Sequence, residues 1–174
     1  MFFPHVAISI ALAVQKELEL GIIHDVYNNK TYIGRRGKGA YYDGERLQVT
    51  PVQDLKEAMI ISELGSSRDV AHMDKVFRNL RNVGSGCRGM RCLGSAALNM
   101  CLVAKGISHS YYEYGIHCWD IAAGALIVRE AGGVVLDPNG GPLNLMSRRV
   151  LCGSDVSLCS QISSRLTHID LEHD

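Results

Sequence analysis

Hydrophobic residues in the first 50 positions come in short runs that polar or glycine-rich turns interrupt. Residues 6–14 and 18–27 flank a three-residue polar segment, which is the pattern of a β-hairpin. The dipeptide Asp43-Gly44 is a second hairpin signal, placed between the apolar segments 40–42 and 47–49. The pattern predicts a β meander, with its first apolar run as a buried strand rather than a signal peptide, because no lysine or arginine precedes it.

The spacing changes after Pro51, where helical periods alternate with short apolar segments. Residues 58–62 fit either a strand or a helix, and Ser67 or Asp69 is placed to cap a helix. The apolar positions of that helix are Val70, Met73, Val76, Phe77 and Leu80. Further segments are predicted as helices at 95–105, 119–131 (amphipathic) and 155–166, and as strands at 111–112, 134–136 and 150–152. Helices that alternate with strands after a meander predict one layered α/β domain over 1–174, with parts 1–50 and 51–174.

Length, charge and cysteines exclude several classes of protein. The 174 residues, 47% of them hydrophobic, are enough for one globular core. The 18 Lys+Arg balance 18 Asp+Glu, so the broad positive field of a nonspecific nucleic-acid binder is missing. The sequence contains no run of about 18 apolar residues, so no membrane span is predicted. The six cysteines contain no Cys-x-x-Cys pair and lie mostly among apolar neighbours, which predicts reduced thiols in a cytoplasmic protein.

Asp120 is the first candidate for chemistry, since it lies where a strand-like segment turns into the helix 119–131. The helix dipole favours a carboxylate in the first turn. Carboxylate oxygens are also the ligands that Mg²⁺ prefers. The structural alternative is helix capping without a metal, and the spacing alone favours it because Asp is common at helix starts.

Two other positions suit a ligand that carries phosphate and hydroxyl groups. Gly94, Ser95 and Ala96 open the helix 95–105, where free backbone N–H groups can hold a phosphate. Ser95 is equally a common N-cap residue. Glu113 follows the strand 111–112 and can accept hydrogen bonds from substrate hydroxyls, or it is a solvated carboxylate at a strand end.

The remaining polar residues near Asp120 carry weaker signals. His117 and Cys118 would need converging side chains to act as a nucleophilic pair, and adjacent side chains usually diverge, so a cysteine hydrolase is disfavoured. Glu130 lies near the C-terminal end of its helix, where it opposes the dipole, and is expected to be an exposed carboxylate. No catalytic nucleophile or base is identified from these residues.

Two segments, Trp-Asp-Ile-Ala-Ala-Gly at 119–124 and Ile-Val-Arg-Glu-Ala-Gly-Gly at 127–133, together resemble the C-terminal signature of the inositol monophosphatase family. Within that family the chain is most similar to the animal enzymes. Further matching segments are 3–4 with 6–10, 63–68, 99–104, 112–113, 115–118, 140–142 and 145–150. The resemblance covers nearly the whole chain.

The resemblance implies a fold, an activity and a set of roles. The fold is the layered αβαβα sandwich of inositol monophosphatases and sugar phosphatases, here in its C-terminal portion. The family hydrolyses inositol monophosphates with Mg²⁺, is inhibited by lithium and usually forms homodimers; a metal-bound water attacks phosphorus. By this resemblance Asp120 is a metal ligand that also contacts substrate, Gly94, Ser95 and Ala96 form a substrate loop, and Glu113 binds inositol hydroxyls.

The chain departs from the family in one large feature. The family's Asp-Pro-Ile-Asp-Gly-Thr motif and an upstream Glu, which supply its other carboxylate ligands, do not occur in this sequence. Asp120 alone does not make a site for several Mg²⁺ ions. The first hypothesis is therefore the C-terminal portion of an inositol-phosphate phosphatase, a phosphoric monoester hydrolase, that is inactive alone.

The alternative is a non-catalytic truncated paralogue or isoform that dimerises with a full-length phosphatase. Loss of the preceding elements would expose apolar surface, which commonly needs a partner. A sugar or nucleotide phosphatase is less favoured, because the segments 117–118 and 145–149 resemble the inositol branch.

Overall fold

The computed structural model describes residues 4–172, so residues 1–3 and 173–174 of the predicted domain lie outside the described residues. In this range the chain forms two five-stranded sheets and four α-helices. The strands are β1 (Ala7–Val14), β2 (Glu17–Asp25), β3 (Lys30–Arg35), β4 (Gly39–Tyr42), β5 (Glu45–Arg46), β6 (Met59–Ser62), β7 (Gly89–Arg91), β8 (Ser110–Tyr114), β9 (Val134–Leu136) and β10 (Arg149–Gly153). The helices are α1 (Val70–Gly84), α2 (Ala96–Ala104), α3 (Cys118–Glu130) and α4 (Val156–Ser163).

The first sheet is an antiparallel meander in the order β1-β2-β3-β4-β5, as the turns in the sequence predict. One boundary was wrong, because the last strand is β5 and residues 47–49 are not part of it. Leu47 and Val49 are instead buried in the core. The Leu47 amide still donates to the carbonyl of Ala40 in β4 at 2.8 Å, but the Val49 amide donates to the carbonyl of Ala131 at 3.0 Å, so the chain leaves the sheet after Leu47.

The second sheet is mixed, in the order β7-β6-β8-β10-β9. β6 pairs in parallel with β7 and β8, while β10 is antiparallel to β8 and β9. The segment 58–62 therefore belongs to a strand, and its Ile60 and Ile61 enter two different cores. Because β6 and β8 run in the same direction, the segments that follow them leave the sheet at the same edge.

Helices α2 and α3 lie between the two sheets and form the main core with them. Residues 123–128 of α3 are all buried, so this helix is enclosed by protein and is not the amphipathic helix predicted. Two glycines of the first sheet allow its close approach. A Cβ on Gly21 would lie 2.5 Å from the carbonyl oxygen of Ala123, and one on Gly34 would lie 2.9 Å from Cα of Ile127.

Helices α1 and α4 pack on the other face of the second sheet and form a second core. Asp69 caps α1, since its carboxylate accepts a hydrogen bond from the His72 amide at 2.9 Å. Ser67 instead accepts a hydrogen bond from the Asp69 amide at 3.3 Å. α4 ends at Ser163, three residues before the predicted end.

The apolar spacing predicted for α1 faces this core only in part. Val76 is buried, whereas Val70 and Phe77 are 74% and 55% exposed. A helix on the outside of a layered stack touches its sheet along one stripe, and residues beside that stripe remain in solvent. The periodicity of apolar residues located the helix correctly but predicted more buried residues than the structure has.

The described residues thus stack as sheet, helices, sheet and helices, a mixed α/β fold that supplies four layers of the predicted sandwich. Within residues 4–172 no element covers the outer face of the first sheet. β1 is therefore not the buried strand predicted, because Ile8, Ile10 and Leu12 are each more than half exposed. Ile10 pairs with Ile22, and Ile22 with Ile33, so these five residues form one apolar outer face.

Glu130 is half-buried, which corrects the expectation of an exposed carboxylate. Its two oxygens accept hydrogen bonds from the backbone amides of Gly37 and Gly39, each at 2.8 Å. Both glycines have positive φ, 64° and 86°, which is the conformation that glycine adopts most easily. Glu130 therefore fastens the turn between β3 and β4 to the end of α3.

In the part of the chain that the structure describes, no helix has the length and apolar character to cross a membrane.

No disulfide joins the six cysteines, all of which lie in residues 4–172. Burial raises the pKa of the Cys101 and Cys152 thiols well above the ordinary value, so both are neutral packing residues.

Candidate active site

One cavity collects all of the residues that the sequence singled out as ligand contacts. It has a volume of about 440 Å³ and lies where β8 ends and where α2 and α3 begin. The five predicted residues that line it are Gly94, Ser95, Ala96, Glu113 and Asp120. They come from three segments of the chain that meet at one edge of the second sheet. Their chemical roles remain a prediction at this point.

The start of α2 forms one wall of the cavity. Gly94 has φ +87°, and a Cβ there would meet nothing within 4 Å, so the position faces open space. Ser95 caps the helix, its hydroxyl oxygen accepting from the Leu98 amide at 3.4 Å. The first N–H groups of a helix lack intrahelical acceptors and carry the positive end of the dipole. This wall therefore suits an anion such as a phosphate.

Glu113 is the buried carboxylate of the cavity, with only 7% of the residue exposed. It accepts a hydrogen bond from the hydroxyl of Tyr111, which is fully buried. Burial raises the pKa of Glu113 to about 7; the Tyr111 hydrogen bond lowers it, and the charges of Glu63 and Asp120 raise it further. Near neutral pH the group is present both as an acceptor and as a neutral donor, and either form can bond a hydroxyl.

Asp120 stands half-buried in the first turn of α3. Its Oδ2 accepts a hydrogen bond from the backbone amide of His117 at 2.9 Å. Asp120 thus caps α3 from the third position of the helix, by reaching back to the backbone of the N-cap residue His117. A carboxylate has two oxygens, so capping through one of them is compatible with ligand binding through the other.

His117 also lines the cavity, beside Asp120. Its ring stacks on the indole of Trp119, with ring centroids 4.5 Å apart and an interplanar angle of 9°. Its Nε2 lies 3.4 Å from a guanidinium nitrogen of Arg148. The imidazole is thus positioned by the Trp119 ring and the Arg148 cation. That His117 and Cys118 do not form a nucleophilic pair stays a prediction.

The described residues do not by themselves assemble a metal centre. Within residues 4–172, no group of three or more His, Cys, Asp or Glu side chains is arranged to hold a metal ion. The acidic residues that line the cavity are Glu113 and Asp120. Mg²⁺ requires several oxygen ligands in near-octahedral geometry, so these two carboxylates alone do not complete a site for the ion.

Three residues of this region carried no role in the sequence. Ser66 lines the cavity from the segment after β6, and Ser9 of β1 lines it while donating to the Trp119 carbonyl at 3.1 Å. Glu63 lines a neighbouring cavity of about 410 Å³, which shares four lining residues with the first: Ser66, Gly94, Ala96 and Glu113. The matching segment 63–68 was a signal for two of them. Ser9 lies in the matching segment 6–10, but alternation along a strand does not show which of its side chains meets a ligand.

A model of the inositol monophosphatase family matches residues 2–168, almost the entire chain. The chain belongs to the inositol monophosphatase family. This confirms the family resemblance that the separate motifs indicated. The cavity therefore belongs to a member of this family.

Individual relatives agree with this membership. Rat inositol monophosphatase 1 is 45% identical over 173 residues, which are 99% of this chain and 62% of the rat protein. Extragenic suppressor protein suhB from Bartonella henselae superposes with a TM-score of 0.85 at 31% identity, over 93% of this chain and 62% of suhB. Staphylococcal SaIMPase-II with inositol monophosphate bound gives a TM-score of 0.78 at 26% identity, over 91% of this chain and 60% of that one. The chain thus spans about 62% of the length of these first relatives.

Proposed function

We propose that this chain forms the substrate-binding part of a phosphoric monoester hydrolase that acts on inositol monophosphates. The observation that carries the proposal is the shared cavity, in which an anion-binding helix start meets Glu113 and Asp120. An inositol monophosphate has a phosphate at one end and a ring of hydroxyls at the other, so it needs both kinds of wall. Family membership and the staphylococcal relative, which binds inositol monophosphate, support the same substrate.

Each wall binds one part of the substrate in this proposal. The backbone N–H groups at Ser95 and Ala96 hold phosphate oxygens, and Gly94 leaves the space that the phosphate needs. Glu113 binds inositol hydroxyls, and Asp120 contacts the substrate from the start of α3. The buried Tyr111–Glu113 pair fixes the carboxylate before the substrate arrives, which lowers the ordering cost of binding.

Mg²⁺ is the metal in this proposal, with Asp120 as one of its ligands. When bound, such an ion stabilises negative charge on phosphoryl oxygens. Glu113 and Asp120 are the acidic side chains that line the cavity, and they supply too few ligands to complete its coordination. We therefore expect the 174-residue chain to bind substrate and to release no phosphate on its own.

The proposal includes a cytoplasmic location and excludes a nucleic-acid partner. Buried, unpaired thiols such as Cys152 support the location, since disulfides are rare in that compartment. The equal numbers of basic and acidic residues support the absence of a nucleic-acid partner.

A non-catalytic role is the second candidate, and the apolar outer face of the first sheet favours it. Ile8, Ile10 and Leu12 are exposed side by side on this face. An exposed apolar patch of this kind commonly marks an interaction surface. In this version the chain dimerises with itself or with a full-length phosphatase and modulates it. Sedimentation of the chain alone and mixed with rat inositol monophosphatase 1 tests it; two independent monomeric species at micromolar concentration would rule it out.

Binding and turnover, measured on one preparation, test the first proposal. Equilibrium dialysis with labelled inositol 1-phosphate should show saturable binding to the chain, and weaker binding to Ala96→Asp, which places a carboxylate against the phosphate. Phosphate release with Mg²⁺ should not exceed that of Asp120→Asn. Failure to bind refutes the substrate assignment, and lithium-sensitive release by the chain refutes its inactivity.

A further inference from the structure

Glu63 makes an unusual set of contacts beside the substrate cavity. One of its oxygens, Oε1, accepts hydrogen bonds from the Leu93 amide at 2.6 Å, the Gly94 amide at 2.8 Å and the Asn99 side-chain amide at 2.9 Å. Leu93 and Gly94 precede α2, whereas Asn99 lies within it, and the three donors are 30 to 36 residues from Glu63 in sequence. One carboxylate oxygen thus bonds to residues before and after Ser95 and Ala96 of the substrate loop 94–96.

The position of Glu63 in the fold makes this contact rigid. It directly follows β6, which is paired on both sides in the second sheet. Asn99, on the other side of the contact, is fully buried in α2. The loop 94–96 is thus connected to the sheet and the helix through one carboxylate. Hydrogen bonds to a charged acceptor are about twice as strong as neutral ones, so these contacts restrain the loop effectively.

Gly94 shows why such a restraint is needed. It has φ +87°, and glycine loses more conformational freedom on ordering than any other residue. Without an acceptor for its amide, the segment before Ser95 would sample several conformations. A phosphate site built from backbone N–H groups holds its ligand only when those groups are already aligned.

We propose that Glu63 is a positioning residue, which sets the geometry of the loop 94–96 for the phosphate of the substrate. This inference rests on the proposed function, because the loop is the phosphate-binding wall there. Glu63 acts through Leu93 and Gly94 and not through contact with the reacting atoms. Its charge also lies close enough to Glu113 to influence that carboxylate across the second cavity.

Three variants separate this role from a general effect on stability. Glu63→Ala removes the acceptor, and Glu63→Gln keeps an acceptor oxygen without the charge. Glu130→Ala is the matched control, because Glu130 also accepts two glycine amides, at 2.8 Å each, but does not line the cavity. Both alanine variants remove a carboxylate that fastens a glycine turn, and only one of them touches the substrate loop.

The test combines calorimetric titration of inositol 1-phosphate into the 174-residue chain with amide NMR. We expect Glu63→Ala to raise the Kd about tenfold or more, since several charge-assisted contacts are lost. Glu63→Gln should stay within about threefold of the wild type, while the Leu93 and Gly94 amide protons shift upfield because the neutral acceptor is weaker. Glu130→Ala should bind as the wild type does, even if it unfolds at a lower temperature.

Several outcomes overturn the inference. A folded Glu63→Ala with the wild-type Kd does so, and so does an equal loss of affinity in Glu130→Ala. If Glu63→Ala does not fold, unchanged Leu93 and Gly94 amide resonances in Glu63→Gln decide against it. If the wild type itself does not bind inositol 1-phosphate, the proposed function fails. The contact with the loop is then judged by Gly94 amide exchange, which must accelerate in Glu63→Ala.

Discussion

The hydroxyl of Tyr111 donates a hydrogen bond to the carboxylate of Glu113, two residues further along the same face of β8. Tyr111 is fully buried and Glu113 is 7% exposed, so the pair is almost dry. Burial alone disfavours the charged carboxylate, while the hydroxyl stabilises it. The pair therefore sets how much charge the cavity carries near neutral pH.

Removal of the Tyr111 hydroxyl should change the titration of Glu113. In Tyr111→Phe the pKa of Glu113 should rise above its value of about 7, because the hydrogen bond that lowers it is lost. Carbon-13 NMR of labelled glutamate carboxyls measures this directly. Tyr112→Phe is the control, since Tyr112 packs in the second core on the opposite face of the strand. Equal pKa values in the wild type and Tyr111→Phe would contradict the role given to the hydroxyl.

The stability of the chain should depend on pH through Glu113. Its folded pKa of about 7 lies above the ordinary 4.5, so the folded state binds the proton more tightly than the unfolded state does. This contribution, about 3 kcal/mol, is complete below pH 4.5 and is lost as the pH rises through 7. Urea unfolding at pH 5 and pH 8 should show a larger loss for the wild type than for Glu113→Gln. If the free energies of unfolding of the two proteins changed equally with pH, Glu113 would not be the source of the pH dependence.

Close packing of α3 on the first sheet should make Gly21 intolerant of a side chain. The added Cβ in Gly21→Ala would lie 2.5 Å from a backbone oxygen of α3, which cannot rotate away. We expect a loss of about 2 kcal/mol or more in the free energy of unfolding. Gly89→Ala, whose Cβ would make ordinary contacts with the side chains of Met59 at 3.4 Å and Arg91 at 3.6 Å, should lose less than about 1 kcal/mol. Similar urea midpoints for the two variants would argue against the packing described.

Self-association should depend on the outer face of the first sheet. Ile10→Lys places a charge at its centre and should reduce any concentration-dependent rise in sedimentation coefficient. Val70→Lys changes an exposed residue on the outside of α1 and should have no such effect. If both substitutions reduce association to the same degree, the outer face is not the surface responsible.

Local signals in the sequence predicted much of the fold. The Asp43-Gly44 turn located the meander, and Asp69 marked the start of α1, because turns and caps depend on neighbouring residues. The exposure of Ile10 could not be read in this way. Alternation shows that a strand has two faces, but the covering of each face depends on elements elsewhere in the chain.

The site was predictable where a motif carried it. Glu113 and Asp120 were candidates from their positions at a strand end and a helix start, the family segments then implied their roles, and the structure places both on one cavity. Glu63 and Glu130 were not assigned a role, because their partners lie 30 or more residues away. Contacts over such distances follow from strand order and helix packing, which hydrophobic periodicity does not specify.

The central claim is that the loop at Gly94 and Ala96 and the carboxylates Glu113 and Asp120 bind one inositol monophosphate between them. Titration of the nitrogen-15-labelled chain with inositol 1-phosphate tests it most directly. The amide resonances of these four residues should shift together with one Kd, and inorganic phosphate should move those of the loop alone. Shifts confined to other parts of the chain, or none at saturating ligand, would contradict the claim.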